Sequence, residues 1–354
     1  MLRYFSKFDF VQSLIIDDLH TIYLGVVKKM IDHYFERKIF GRDDQLRHIN
    51  LQMNDNSGSS DVGSLQSFDR FSNWKGKDFR NFLFHYGLPL LIVYCQDNEI
   101  INNFKCLQEG IYTMSTKYID EFDLSMVREK IGIFLNGVKN IFGFDKISPN
   151  FHELAHLPDM AKHSGPLWLH STFDFEGFNL IIRNFVRSSL RPELQIIDRL
   201  NMVKSISSDI DCVTSWDDDL QAKLLEMQPG LIDTKSVKLL GSSRKEDGEN
   251  VYQRAMVGSK RICTAEYSAK FKKTDHFVYQ NGDGYSVVKI TGGLTPMLVV
   301  KKLRTERISL SMLEVIDEQP GHFYKPLDNQ IQKMVPMKVE NRTFLSFLPE
   351  FSRK

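Results

Sequence analysis

From Leu14 to Phe35 the apolar residues Leu19, Ile22, Tyr23, Val26, Val27, Met30 and Ile31 recur at intervals of three and four, which predicts a helix with one buried face. The polar run LQMNDNSGSSDVGS that follows is rich in Asn, Ser, Asp and Gly and reads as a surface loop. The helical period resumes over Trp74–Cys95, with Phe79, Phe82, Leu83 and Tyr86 on one face and a break expected near Gly87–Pro89. Further helices are expected over Glu99–Ser115 and Asp123–Phe142. The second has Asp123 as a candidate N-cap and an apolar face of Val127, Ile131, Phe134 and Val138. Pro149–Lys162, Phe173–Ser188 and Pro192–Ser205 complete a mostly helical region spanning residues 1–205.

Residues 206–250 change character. SSDIDCVTSWDDDLQ and LLGSSRKEDGEN are polar and predict a linker. After Val251 the period shortens to two. HFVYQ and YSVVKITGG flank Asn281-Gly282-Asp283-Gly284, a strong hairpin signal. MLVVKKL, HFYKPL, MVPMKVE and TFLSFLPE follow as short strands. Residues 251–354 are therefore expected to form a small all-β unit of about five to seven strands, barrel or sandwich. The fold class is α+β, with no internal repeat.

Composition narrows the function classes. The 354 residues include 26 Phe, enough for large cores, and 46 basic against 45 acidic side chains. A net charge of +1 removes the whole-chain basic footprint of many nucleic-acid binders and leaves room for a local patch. The four Cys show no CxxC spacing, so neither a Cys zinc site nor a disulfide framework is indicated. MLRYFSKFDF has no signal-peptide core, and Leu88–Tyr94 is too short to span a bilayer. A nuclear or cytoplasmic protein, neither secreted nor membrane-bound, is the expectation.

The densest chemistry lies in Phe151–Ser189. His152-Glu153-Leu154-Ala155-His156 spaces two imidazoles one helical turn apart around a carboxylate, as zinc peptidases require, and Glu176 offers a third ligand. Pro158 would interrupt the helix carrying such a site, and His163 stands at the wrong spacing for the three-His form. The plainer alternative is two helix-borne His residues hydrogen-bonded to neighbours, and zinc is not expected. Trp74-Lys75-Gly76-Lys77-Asp78-Phe79-Arg80 mixes basic and aromatic residues as single-strand binders do; an amphipathic helix with its rings buried is the simpler reading. Lys28-Lys29 and Lys301-Lys302-Leu303-Arg304 read as surface charge, weak as nuclear import signals.

Several blocks in order resemble the transposase of CACTA (En/Spm-like) DNA transposons. They are Ile16-Asp17-Asp18-Leu19-His20 with Tyr23-Leu24-Gly25-Val26-Val27-Lys28-Lys29-Met30; Trp74 to Leu83; Asn150 to Leu157; Gly165-Pro166-Leu167-Trp168 leading into Ser171-Thr172-Phe173-Asp174-Phe175-Glu176-Gly177-Phe178-Asn179; then Arg187-Ser188-Ser189 and Pro192-Glu193-Leu194-Gln195-Ile196. The strands after them resemble the β tail that often follows this core. The resemblance implies the insertion and closing helices of a ribonuclease-H-like nuclease, in which two Asp and one Glu hold Mg²⁺ or Mn²⁺ for phosphodiester cleavage. Glu176 matches the last acidic residue of that triad and would be its catalytic and metal-binding member. Asp17 and His20 match a structural Asp-x-x-His element, and His152 and His156 are assigned a supporting role. Arg183 and Arg187 are candidates for DNA phosphates. The family's first two catalytic Asp lie upstream of the Asp17 block, and Asp9, Asp17 and Asp18 stand at the wrong place to replace them. The expectation is a truncated, transposase-derived protein that does not bind the metal productively. It would bind DNA, a transposase-like or other nuclear protein, or a second copy of itself. The alternatives are an active nuclease whose Asp residues lie upstream of a wrongly assigned start, and a zinc peptidase.

Overall fold

The computed structural model describes residues 15–212 and 237–349, apart from residues 42, 56–58, 60–61, 63–64, 247, 259, 272–273, 293–295 and 329. Helices fill the N-terminal part and strands the C-terminal part, as an α+β chain. The first helical stretch opens as a π-helical segment, Leu19–Val27, and continues as α1, Lys28–Glu36. α2 covers Asp43–Asp55 and so runs into the stretch expected to be loop. α5 (Asn98–Met114) packs on α6 (Glu121–Phe142), and the Asn103 amide reaches across to the Phe134 carbonyl at 2.8 Å. The N-cap of α6 is Asp120, whose carboxylate accepts from the Asp123 amide at 2.8 Å. Asp123 is the third helical residue, and its carboxylate accepts from the Asp120 amide at 3.2 Å. This reciprocal pair is a capping box and places the N-cap three residues before the Asp123 expected from sequence.

The expected break near Gly87–Pro89 does not occur. α3 (Gly76–Asn81), a π-helical segment (Phe82–Tyr86) and α4 (Gly87–Tyr94) form one continuous rod. Proline normally breaks a helix because it lacks an N–H and crowds the carbonyl four residues back. Here the wider π turn immediately before absorbs the misfit, and the Gly87 amide bonds the Phe82 carbonyl, five residues back. A π turn displaces carbonyls from the regular ladder. The buried Gln108 amide of α5 meets two of them, Leu83 at 3.0 Å and Phe84 at 3.3 Å.

The strands begin earlier than the hydrophobic alternation indicates. β1 (Val237–Leu240) and β2 (Arg244–Glu246) lie in the stretch read as a linker, β3 (Glu249–Tyr252) starts at its end, and α10 (Pro192–Cys212) enters it from the other side. β2 is a largely exposed edge strand, so its residues carry no apolar face to betray it. Residues 213–236 of that linker lie outside the described residues. Nine strands lie wholly within residues 251–354 among the described residues, against the about five to seven expected there. β4 (Arg254–Val257) joins β1 and β5 (Lys260–Cys263) in a small sheet, and a short helix, α11 (Ala265–Lys270), follows. Then come β6 (Phe277–Gln280), β7 (Asp283–Gly292), β8 (Met297–Ser309), β9 (Met312–Glu318), β10 (Phe323–Pro326), β11 (Gln332–Val339) and β12 (Arg342–Phe347). β6, β7, β8, β9, β12 and β11 close antiparallel on themselves through the β7–β8 and β11–β6 pairings, so the unit is a barrel. The expected Asn-Gly hairpin joins β6 to β7, with Asn281 at φ 53° and Gly282 at φ 89°, the left-handed pair a two-residue turn demands.

The helices and the barrel share a core. Met312, Met337, Val339 and Phe344 of the barrel pack in the same buried cluster as Phe82, Phe104 and Phe134 of the helices. Polar contacts pin the junction. Ser309 Oγ donates to Gln108 Oε1 at 3.0 Å, and the Leu310 amide donates to Glu109 Oε1 at 3.1 Å. Glu109 also holds Lys130 of α6 at 2.7 Å.

Candidate functional site

The π-helical segment organises the site. α7 (Pro149–Leu154) and α3 both pack against it, and α9 (Phe173–Phe185) starts beside it. Gly76 at the start of α3 permits this approach: a Cβ there would sit 2.0 Å from Leu19 Cδ1 and 3.4 Å from the Phe173 ring. Just before the segment, Asp17 accepts four hydrogen bonds. Its Oδ2 takes the His20 amide at 3.0 Å and stands 2.5 Å from His20 Nδ1. Its Oδ1 takes the Thr172 amide at 3.0 Å and the Thr172 hydroxyl at 2.8 Å. Thr172 is the N-cap residue of α9, so Asp17 fastens that helix from 155 residues away. Partial burial pulls the Asp17 carboxyl upward, and the hydrogen bonds from His20 and Thr172 outweigh it, leaving the group below its ordinary range.

His20 turns its other ring nitrogen toward Glu176. Nε2 lies 3.8 Å from Glu176 Oε1, and the two side chains are 62% and 58% exposed, so the contact is open to water. The structure thus brings together Asp17, His20 and Glu176, three of the residues singled out in sequence. It also adds residues that sequence reasoning missed. Asp18 is buried, bonded to the Ser171 side chain and within the field of Arg80, and burial pushes its carboxyl up to about 6. Among the described residues, its Oδ1 and the fully buried Tyr23 hydroxyl have no hydrogen-bond partner. Phe173 packs between Tyr23, with ring centres 5.7 Å apart, and the Arg80 guanidinium, 4.5 Å from its ring centre. Sequence put Tyr23 on a periodic apolar face and Arg80 in a basic-aromatic run, and offered Asp18, Ser171 and Phe173 only through their place inside the blocks that carry the family resemblance.

The HExxH string folds differently from a peptidase site. α7 ends at Leu154 and α8 (Leu157–Ser164) begins anew around Pro158, the interruption that proline predicts. His152 and His156 are exposed, with Nε2 atoms 3.3 Å apart. Glu153 faces elsewhere and accepts from the Thr21 hydroxyl at 2.7 Å. Glu176, the third ligand of the peptidase reading, faces His20. Neither carboxylate is placed to act with the two imidazoles.

Arg183 and Arg187 are exposed, on the last turn of α9 and just beyond it. The basic-aromatic block behaves as an amphipathic helix start: Trp74 and Phe79 are buried and Lys75 and Lys77 exposed, so the rings are not free to stack on bases. Lys301, Lys302 and Arg304 are paired with Glu318, Asp283 and Asp317. Cys95, Cys106 and Cys263 are buried free thiols. No helix among the described residues is long and apolar enough to cross a membrane.

A hard divalent cation needs carboxylate oxygens free to face it. Both Asp17 oxygens are committed to N–H and O–H donors, Asp18 is buried, and Glu176 faces an imidazole. Among the described residues no three His, Cys, Asp or Glu side chains are placed to hold a metal ion together. Asp17 and Asp18 are thus not free to join Glu176 around one cation. Comparison of the chain with protein-family models, with curated proteins and with solved structures finds no match.

Proposed function

We propose that this chain is derived from a CACTA-type transposase and works by binding, without cutting DNA on its own. The observation that carries the reading is the junction of Asp17 and His20 with Thr172 and Glu176. Two of the blocks that carry the resemblance, 155 residues apart, meet through hydrogen bonds and one open ion-pair contact. In this reading Asp17 and His20 position the start of α9, and Glu176 is the remaining acidic residue of the triad. Arg183 and Arg187, exposed farther along the same helix, supply cations for phosphates. DNA, a transposase-like or other nuclear protein, and a nuclear setting go with this proposal.

A second reading, a nuclease completed by acidic residues from elsewhere, is favoured by the exposure of Glu176, which leaves its carboxylate reachable by a metal ion held jointly with other groups. One experiment separates the two. Purified protein is mixed with labelled duplex DNA at several salt concentrations, then supplied with Mg²⁺ or Mn²⁺. The binding reading expects salt-dependent complexes that weaken in Arg183→Ala and Arg187→Ala, with no cleavage. Cleavage abolished by Glu176→Ala would replace it with the nuclease reading, and the absence of any complex would remove DNA as the partner.

A further inference from the structure

The two HExxH imidazoles, which the proposed function leaves unused, are arranged as a pair. His152 belongs to α7, and His156 stands in the turn before α8, where Pro158 restarts the helix. Despite that break their rings face each other nearly edge to face, at 78° and 5.0 Å between centres, with the Nε2 atoms 3.3 Å apart. Zinc–imidazole bonds of about 2.0–2.1 Å in tetrahedral geometry set their two nitrogens roughly 3.3–3.4 Å apart. A square-planar ion with bonds of similar length would draw them to roughly 2.9 Å. The observed separation lies within hydrogen-bond reach of the two rings and also matches the spacing a tetrahedral ion sets.

We infer that His152 and His156 form a surface chelate for one tetrahedral divalent transition-metal ion, zinc in the first place. The site is distinct from a peptidase centre, because Glu153 is bonded to Thr21 and Asp159, one turn on, is bonded to Arg128 at 2.7 Å. The chain supplies two ligands, and the remaining positions go to water or to a donor from a bound partner. Both imidazoles are exposed, so an ion enters without any rearrangement of the fold. This inference stands independently of the transposase reading.

The test uses the full chain without an affinity tag. Zinc chloride is titrated in by calorimetry, and cobalt(II) is added separately as a spectroscopic probe. The expected result is one equivalent of zinc bound with a dissociation constant of roughly 1–100 µM, weakened about tenfold or more in both His152→Ala and His156→Ala and unchanged in His163→Ala. Cobalt should give the intense visible bands of a tetrahedral complex in the wild-type protein, a readout that does not depend on any variant folding. Absence of saturable zinc binding in that range, binding that survives both substitutions or tracks His163, or a purely octahedral cobalt spectrum would overturn the inference and leave the pair as hydrogen-bonded neighbours.

Discussion

His85 Nδ1 lies 2.6 Å from Ser346 Oγ, across 261 residues of chain, with both side chains buried where the helices meet the barrel. The Ser346 hydroxyl also donates to the Val335 carbonyl at 3.2 Å, so the network assigns the proton to His85 Nδ1. Burial pushes the imidazole down to about 3, far below its ordinary value. The folded state therefore holds a neutral His85, while the unfolded chain protonates it below about pH 6.5. Its contribution to stability is full above that pH and is lost progressively as pH falls toward 3. His85→Ala should cost ~2–4 kcal/mol at pH 7 and Ser346→Ala ~1–2 kcal/mol. It should also flatten the acid limb of the stability curve. Urea unfolding across pH 4–8 checks both. If the junction ties the two parts into one unit, helix and strand signals should be lost in one transition.

Gln108 is the second tie. Its amide nitrogen serves the two π-segment carbonyls and its oxygen accepts from Ser309. Gln108→Leu keeps the volume and removes the bonds to all three groups, leaving Ser309 only its contacts with Ser311, so a loss of ~2–4 kcal/mol is expected. Gln108→Glu should be worse, because it replaces a needed donor with a buried charge. Thermal melts of the two variants give the order.

Asp17 predicts a local effect. Asp17→Asn keeps the shape and gives up the charge-assisted bonds to Thr172, and Thr172→Val removes the hydroxyl contact alone. Each should loosen the start of α9 by ~1–2 kcal/mol while leaving the barrel untouched. Hydrogen exchange should quicken over Phe173–Phe185 and stay unchanged over β7 and β8. Uniform quickening everywhere would show that α9 is not held chiefly at this point.

Asp18 has the opposite sign. Its folded carboxyl is raised to about 6, so the native state keeps a proton that the unfolded chain has released. The group destabilises the fold as pH rises from about 4 to 6, and the deficit then stays constant. Asp18→Asn should be the more stable protein at pH 7, by up to ~3 kcal/mol, with the difference vanishing below pH 4. Parallel denaturation of the two proteins at pH 4 and pH 7 tests it.

Much of the fold was legible in the chain. Helical spacing placed α5 and α6 to within a few residues, the Asn281-Gly282 turn announced its hairpin, and Pro158 marked the break after α7. What escaped has physical causes. A π turn leaves the apolar spacing almost unchanged, so neither π segment was visible, and Gly87–Pro89 read as a stop because the wider turn before it leaves no local mark. Barrel closure depends on β11 meeting β6, a pairing between residues far apart in sequence. β1 and β2 carry no strong alternation because one is half-buried throughout and the other lies at an edge. At the site, Asp17 and His20 were nominated only through family resemblance, and Glu176 through that resemblance and as a possible third ligand to the HExxH pair. The role of Thr172 could not be read at all, since a helix cap supplied from 155 residues away leaves no periodic trace.

The shared core sets the order of events during synthesis. Phe82, Phe104 and Phe134 leave the ribosome well before Met312, Met337, Val339 and Phe344, which complete the cluster around them. At roughly 5–20 residues per second, the helices spend on the order of ten seconds or more with that apolar floor uncovered. The nascent chain therefore carries an open apolar floor until its last strands arrive, and chains terminated within the barrel are expected to aggregate in place of folding as a smaller protein.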